Sequence, residues 1–153
     1  MTALSERLSA LGLSLPAAQA PLASYVPARR QGDLLYLSGH VSRADGSVVR
    51  GIVGDDVEAA AAVQLARAIA LDILASAAAA MGSVDAVVGV VRITGYVRSA
   101  PGFDGQPAVV NGASDVFVEL LGEAGRHARS AVGVSELPLG AALEIEAILE
   151  VRG

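Results

Sequence analysis

Two charged side chains near the C-terminus, one basic and one acidic, are of types that can do chemistry. Arg129 lies at the start of the alternating stretch A-R-S-A-V-G-V, and Glu144 lies at the start of a second, L-E-I-E-A-I-L-E-V. A short Leu-Pro-Leu-Gly turn, residues 137–140, joins them. A guanidinium is a planar fork of donors that grips a carboxylate through two parallel hydrogen bonds, a geometry Lys cannot copy. A carboxylate within hydrogen-bond reach can hold or activate a water. Side chains alternate along a strand, so Leu143, Ile145, Ala147, Leu149 and Val151 point one way and Glu144, Glu146 and Glu150 the other. In the first stretch Ser130, Val132 and Val134 read as the core side, with Arg129, Ala131 and Gly133 opposite. Arg129 and Glu144 are therefore expected together on the non-core face of one sheet. On spacing alone, plainer readings are the stronger: a strand-end Arg paired with a neighbouring acid, and one Glu of three on a solvated face.

Composition narrows the chemistry further. Every one of the 11 basic side chains is Arg. Without Lys there is no Schiff base on the protein and no lysine-anchored pyridoxal phosphate. Without Cys there is no disulfide, thiolate nucleophile or thiolate metal site. With only His40 and His127, a His-rich metal centre is not expected. A net charge of −5 argues against a general nucleic-acid binder. The longest apolar run, from Val57 to Met81, is interrupted by Glu58, Arg67 and Asp72, which reads against a bilayer span. With no basic-then-apolar leader at the N-terminus, a cytoplasmic location is expected.

The elements that must position these residues read as one domain over 1–153, with 1–23 an N-terminal helix and linker. Leu4, Leu8 and Leu11 recur at helical spacing after a Thr2 cap, and Pro16 ends that helix. Tyr25–Arg30 and Leu34–Ser38 form a hairpin around Gln31-Gly32-Asp33. Gly39 closes the second strand, and Asp45-Gly46 marks a further tight turn. Asp55-Asp56 suits the start of a long Ala-rich helix that Gly82 ends. Val84–Val97 is the central strand, with Val87, Gly89, Val91, Ile93, Gly95 and Val97 facing the helices and Arg92 facing away, toward the glutamates. A second helix runs through Pro107–Gly122. The fold class is α+β, a mixed sheet with two long helices on one face.

The stretch A-R-S-A-V-G-V-S-E-L-P followed by L-E-I-E resembles the C-terminal motif of the reactive intermediate deaminase family, also called the YjgF family. Tyr25-Val26, Leu37-Ser38-Gly39 and Val110-Asn111 fall in the order the family shows, and the resemblance covers roughly residues 24–151. It implies a chorismate-mutase-like fold, a homotrimer with ligand clefts between subunits, and hydrolysis of 2-imino or enamine acids to 2-oxo acids and ammonia. It implies no metal or organic cofactor. Arg129 then clamps the substrate carboxylate and Glu144 positions the water, while Tyr25, Ser38, Gly39 and Asn111 line the pocket. Without the resemblance, Tyr25 reads equally as packing, Gly39 as a turn and Asn111 as a solvent-facing helix residue. The chain departs from the motif at His127, where Pro or Ala is usual, at Ala131, often Cys, and at His40, often Gln.

Two other functions compete with the deaminase: a trimeric carrier or sensor of small carboxylates, and a ribonuclease. The geometry of the two strands also bears on assembly. A short connection makes them antiparallel, so Arg129 and Glu144 stand on the order of 15–20 Å apart, too far for a water and a small acid to bridge. A shared site then joins Arg129 of one chain to Glu144 of a neighbour, with a closed ring as the expected symmetry.

Overall fold

The computed structural model describes residues 2–21 and 23–153; Met1 and Leu22, both in the expected N-terminal extension, lie outside it. Its elements run α1 (Leu4–Ala10), β1 (Ala28–Gln31), β2 (Leu34–Val41), β3 (Arg43–Ala44), β4 (Ser47–Val48), α2 (Ala59–Met81), β5 (Val87–Arg98), α3 (Gln106–Leu121), β6 (Ala128–Val134) and β7 (Leu143–Val151). A five-stranded sheet has the order β1-β2-β7-β5-β6, and β3 and β4 form a separate small hairpin. Strand β7 is antiparallel to both β2 and β5, whereas β5 and β6 are parallel. Parallel strands of one sheet need crossovers, and α2 (β2 to β5, with β7 between them) and α3 (β5 to its neighbour β6) supply them. Both crossovers step the same way across the sheet. Right-handed connection then places both helices on one face, where α2 lies over β2 and β7 and α3 over β5 and β6. Among the described residues, the other face of the sheet carries no helix.

The alternation in β7 is realised along its whole length: Leu143, Ile145, Ala147, Leu149 and Val151 are buried under the helices. They meet Ile69, Ile73 and Leu74 of α2 and Phe117 and Leu120 of α3 in one core. Glycine sets how closely the layers approach. A methyl at Gly95 of β5 would overlap the Val110 side chain, and one at Gly112 of α3 would strike the Val63 carbonyl of α2. Helix α3 is thus wedged tightly against both the sheet and α2. Although α2 is long and apolar enough to cross a membrane, it is packed against sheet and α3 with nine buried residues. Gly82, at φ 82°, ends it as expected.

Several local expectations change. Helix α1 is shorter than the Leu spacing implied and has no Thr2 cap; Leu4 and Leu8 are buried, whereas Leu11 is exposed. Strand β1 begins at Ala28, leaving Tyr25 and Val26 exposed before Pro27, whose missing N–H cannot join a ladder. Strand β2 does not stop at Gly39 but continues to Val41 through a bulge between Leu37 and His40. Asp55-Asp56 forms a turn closed by the Ile52 N–H donating to Asp56, and α2 starts only at Ala59. In β5 a bulge between Val90 and Arg92 moves burial from Val91, which is exposed, to Val90. An extra residue on one strand resets the alternation, which a period-two reading cannot foresee.

The largest correction is the orientation of β6. Arg129 pairs with buried Ile93 and Ala131 with Gly95, so Arg129, Ala131 and Gly133 face the helices. Ser130 and Val132 face the open side, where Ser130 accepts a hydrogen bond from Arg92 at 2.9 Å and Val132 is exposed. The closeness of α3 explains the inversion, because a methyl at Gly133 would sit 2.8 Å from the Gln106 amide of α3. Only small residues fit beneath the helix, so the valine goes outward. Truncating Ile145, fully buried in β7, should cost about 2–5 kcal/mol. A urea titration of Ile145→Ala in which the midpoint barely moves would contradict this packing.

Candidate active site

Glu144 stands on the open face of β7, beside Val41 of β2 and Tyr96 of β5. The bulge in β2 carries Gly39 up against it, and any side chain at Gly39 would overlap the Glu144 carboxylate. Ser42, buried at the end of β2, fixes the start of β7: its hydroxyl donates to the Val49 carbonyl and accepts from the Ala142 and Leu143 N–H groups. Around Glu144 a cleft of about 410 Å³ is lined by Tyr25, Ser38, Gly39, Arg43, Leu139 and Gln19 among others. Leu139 holds a left-handed backbone, φ 59°, that places its exposed side chain at this cleft. Burial raises the Glu144 carboxyl above the ordinary Glu range, and the neighbouring Glu146 raises it further. Such a group exchanges protons nearer neutrality than a solvated Glu.

Arg129 belongs to a second cluster, on the helix side of edge strand β6. Its Nη1 donates to Asn111 Oδ1 at 2.6 Å and to Ser114 Oγ at 3.1 Å, both from α3. Among the described residues, its Nε and Nη2 make no hydrogen bond, which leaves one edge of the fork open to a carboxylate. Ser114 Oγ also lies 3.0 Å from His127 Nε2, and His127 Nδ1 lies 2.6 Å from the Gly125 carbonyl. A carbonyl can only accept, so Nδ1 carries the proton and Nε2 accepts from Ser114. The chain of donors runs one way, from Arg129 to Ser114 to His127 to Gly125. Burial lowers the His127 pKa, and the Arg129 charge lowers it further.

The structure thus gathers Tyr25, Ser38, Gly39 and Glu144 into one cleft, and Arg129 and Asn111 into another group. It does not bring the two together on one face, as the alternation had implied. Arg129 is in register with Ile93 and Glu144 with Tyr96, so they stand roughly 10 Å apart along β5 and two strand spacings, roughly 10 Å, across it. They also point to opposite faces. Sequence reasoning missed Ser114, although its position three residues after Asn111 on one helix face was a usable signal. It also missed Arg43 and Gln19, which carry no local pattern. Among the described residues, no group of three or more His, Asp or Glu converges as metal ligands would.

The sheet order, the helix pair on one face and the paired motif around Arg129 and Glu144 define the class. The endoribonuclease L-PSP family pattern matches residues 16–151, and the chain belongs to that family, the YjgF or reactive intermediate deaminase family of the resemblance. It is similar to Protein TCP17 of Trypanosoma cruzi, with 42% identity over 95% of this chain and 92% of that protein. Among solved structures it is similar to Atu1372 of Agrobacterium tumefaciens, with 43% identity, a TM-score of 0.88, and coverage of 97% of this chain and 92% of the other. It is also similar to TdcF of E. coli, solved with bound serine, at 25% identity and a TM-score of 0.60, covering 89% and 94% of the two chains.

The second histidine gives a prediction about stability. His40 is buried, its Nδ1 2.7 Å from the Ser38 carbonyl and its Nε2 2.8 Å from Ser76 Oγ of α2, and it thereby pins the bulge beside Glu144. Its pKa is lowered, by burial first, with the Arg43 charge adding to the drop and the Ser38 bond opposing it. The unfolded chain therefore takes up a proton near the ordinary 6.5 before the folded one does. The stability this contributes is present above that pH and is lost as pH falls through the lowered folded value. Comparing urea midpoints of parent and His40→Gln from pH 7.5 down to 5 should show the parent losing more, and parallel curves would refute the assignment.

Proposed function

We propose that the chain hydrolyses reactive 2-imino or enamine acids to 2-oxo acids and ammonia, in clefts shared between neighbouring copies of a homotrimer. The observation that carries this reading is the division of the site. One chain holds an anchored guanidinium with an open edge, and, on the opposite face, a carboxylate of raised pKa in a cleft. Neither half can do the chemistry alone, and a small acid cannot span the distance between them within one chain. The open sheet face exposes Tyr36, Val91 and Val132, an apolar surface that another copy would cover. The bound serine in TdcF, a family relative, supports a small amino-acid-like ligand.

In this reading Arg129 of one copy takes the ligand carboxylate through Nε and Nη2, while Asn111 and Ser114 hold Nη1 still. Glu144 of the neighbour accepts a proton from water as its oxygen bonds to C2 of the protonated imine, giving a neutral carbinolamine. Glu144 returns that proton to the nitrogen, the C–N bond breaks with ammonia leaving, and the carbinol hydroxyl gives up its proton to solvent as the C=O bond forms. Water is consumed and no electrons are exchanged. Backbone groups of Ser38 and Gly39 would contact the ligand because Gly39 presents no side chain.

Arg129→Ala should abolish binding of pyruvate and 2-oxobutyrate in calorimetry while leaving the fold intact, and parental affinity would remove the clamp. Glu144→Gln separates enzyme from carrier, since it stops ammonia release in an enzyme and has nothing to stop in a carrier. Refolding inactive Arg129→Ala together with inactive Glu144→Gln should restore part of the activity through mixed trimers. No recovery in verified hetero-trimers, or a monomer by light scattering, would refute the shared site.

The reaction should also report on Glu144 through pH. A base works ionised, so kcat/KM falls as pH falls through the raised Glu144 value. Glu146→Gln removes the second cause of that rise and should move the acid limb to lower pH. An unmoved limb would mean that another group sets it. The family description favours RNA cleavage as a second reading, which predicts RNA binding that weakens steeply with salt.

A further inference from the structure

The Glu144 cleft contains a cation that the hydrolysis does not use. Arg43 opens β3 just after the buried Ser42, and it lines the cleft together with Glu144, Ser38 and Gln19. It also lines a neighbouring cavity of about 730 Å³ between residues 14–19 and α2, so its side chain stands at the wall between the two. Its Nε is buried without a hydrogen-bond partner, and its Nη1 reaches only the Gly46 carbonyl, at a long 3.4 Å. Among the described residues no carboxylate lies within ion-pair distance of it. Asp45 and Asp72 share the larger cavity with it without an ion pair; burial raises the Asp72 carboxyl pKa and the Arg43 charge only partly opposes that.

A buried donor without an acceptor is unfavourable, and a guanidinium is shaped to receive a carboxylate. Gln19 lines the same cleft from the N-terminal segment, and its amide is of a type that can donate to a carboxylate. Glu144 cannot be the anion that settles Arg43, since the two are not ion-paired across the cleft they share. Nε is enclosed by the chain itself, so what a ligand in the cleft can meet is Nη2, which makes no hydrogen bond among the described residues and is not enclosed. We infer that Arg43, with Gln19, receives a second carboxylate, and that the preferred substrates are short 2-imino dicarboxylic acids rather than monocarboxylic ones. This rests on the proposed site, in which Arg129 of the neighbouring copy takes the first carboxylate and Glu144 serves C2 between the two cations.

The 2-oxo products are stable probes of the same recognition. Calorimetry on the intact protein should find oxaloacetate or 2-oxoglutarate bound about tenfold or more tighter than 2-oxobutyrate, as a charge-assisted pair would give. In Arg43→Met, which keeps the length of the side chain without its charge, the ratio of the two affinities should collapse toward one, and Arg43→Lys should retain part of it. A parent that shows no preference overturns the inference, as does an unchanged ratio in Arg43→Met. Arg129→Ala separates this from the underlying reading. Loss of both ligands there, with a parental ratio near one, overturns only the Arg43 assignment. Undiminished binding of both in Arg129→Ala overturns the shared site itself.

Discussion

The close seating of α3 is the constraint on which the rest of the molecule depends. Gly95 and Gly112 are contacts where a single methyl would collide with Val110 and with the α2 backbone, and a methyl at Gly125, just beyond α3, would collide with the Phe117 carbonyl. Interiors are packed densely enough that such contacts admit little adjustment. With α3 that low over the sheet, Asn111 and Ser114 stand within hydrogen-bond reach of Arg129. Beneath it β6 can offer only Ala131 and Gly133, and its larger Val132 must face the other way. One packing decision thus anchors the guanidinium, turns the edge strand over and leaves an apolar residue on the uncovered face.

The uncovered face and the divided site follow from the same arrangement. Two right-handed crossovers stepping in one direction put both long helices on one side, so among the described residues no helix covers the other. Glu144 and Glu146 stand on that bare side among Tyr36, Val91, Val132 and the Arg92–Ser130 pair. A carboxylate left in bulk water would not have its pKa raised chiefly by burial; the β2 bulge and the segment around Tyr25 shelter Glu144 within the chain itself.

How much of this could be read from the sequence depends on how many constraints act on each element. Strand β7 lies between two neighbours and under α2, so its pattern is strict and its faces were legible residue by residue. Gly82 ended α2 because only glycine tolerates that backbone cheaply. Strand β6 lies at an edge, where alternation announces two faces without saying which is buried; valine at 132 was attracted to a surface, but not to the core. Bulges in β2 and β5 carry no compositional mark. The inverted strand hid the division that sends Arg129 and Asn111 to the helix side, away from Tyr25, Ser38, Gly39 and Glu144. Ser114 and Arg43 act through tertiary neighbours alone.

The two histidines show the same economy in both halves of the site. Each donates Nδ1–H to the carbonyl two residues before it, and each sets Nε2 against a helix serine: His40 with Ser38 and Ser76, His127 with Gly125 and Ser114. Both are driven toward the neutral form by burial, and each has an arginine nearby that pushes in the same direction. A charged imidazole in either place would have to donate from both nitrogens, turning the serine hydroxyl round and, at Ser114, leaving it facing Arg129 with a second cation behind it. Neutrality is therefore part of how these residues hold their strands. His40 fixes the bulge that carries Gly39 to the carboxylate, and His127 fixes the hydroxyl that steadies the guanidinium. Charge is left to Arg129 and Glu144, with the imidazoles beside them kept neutral.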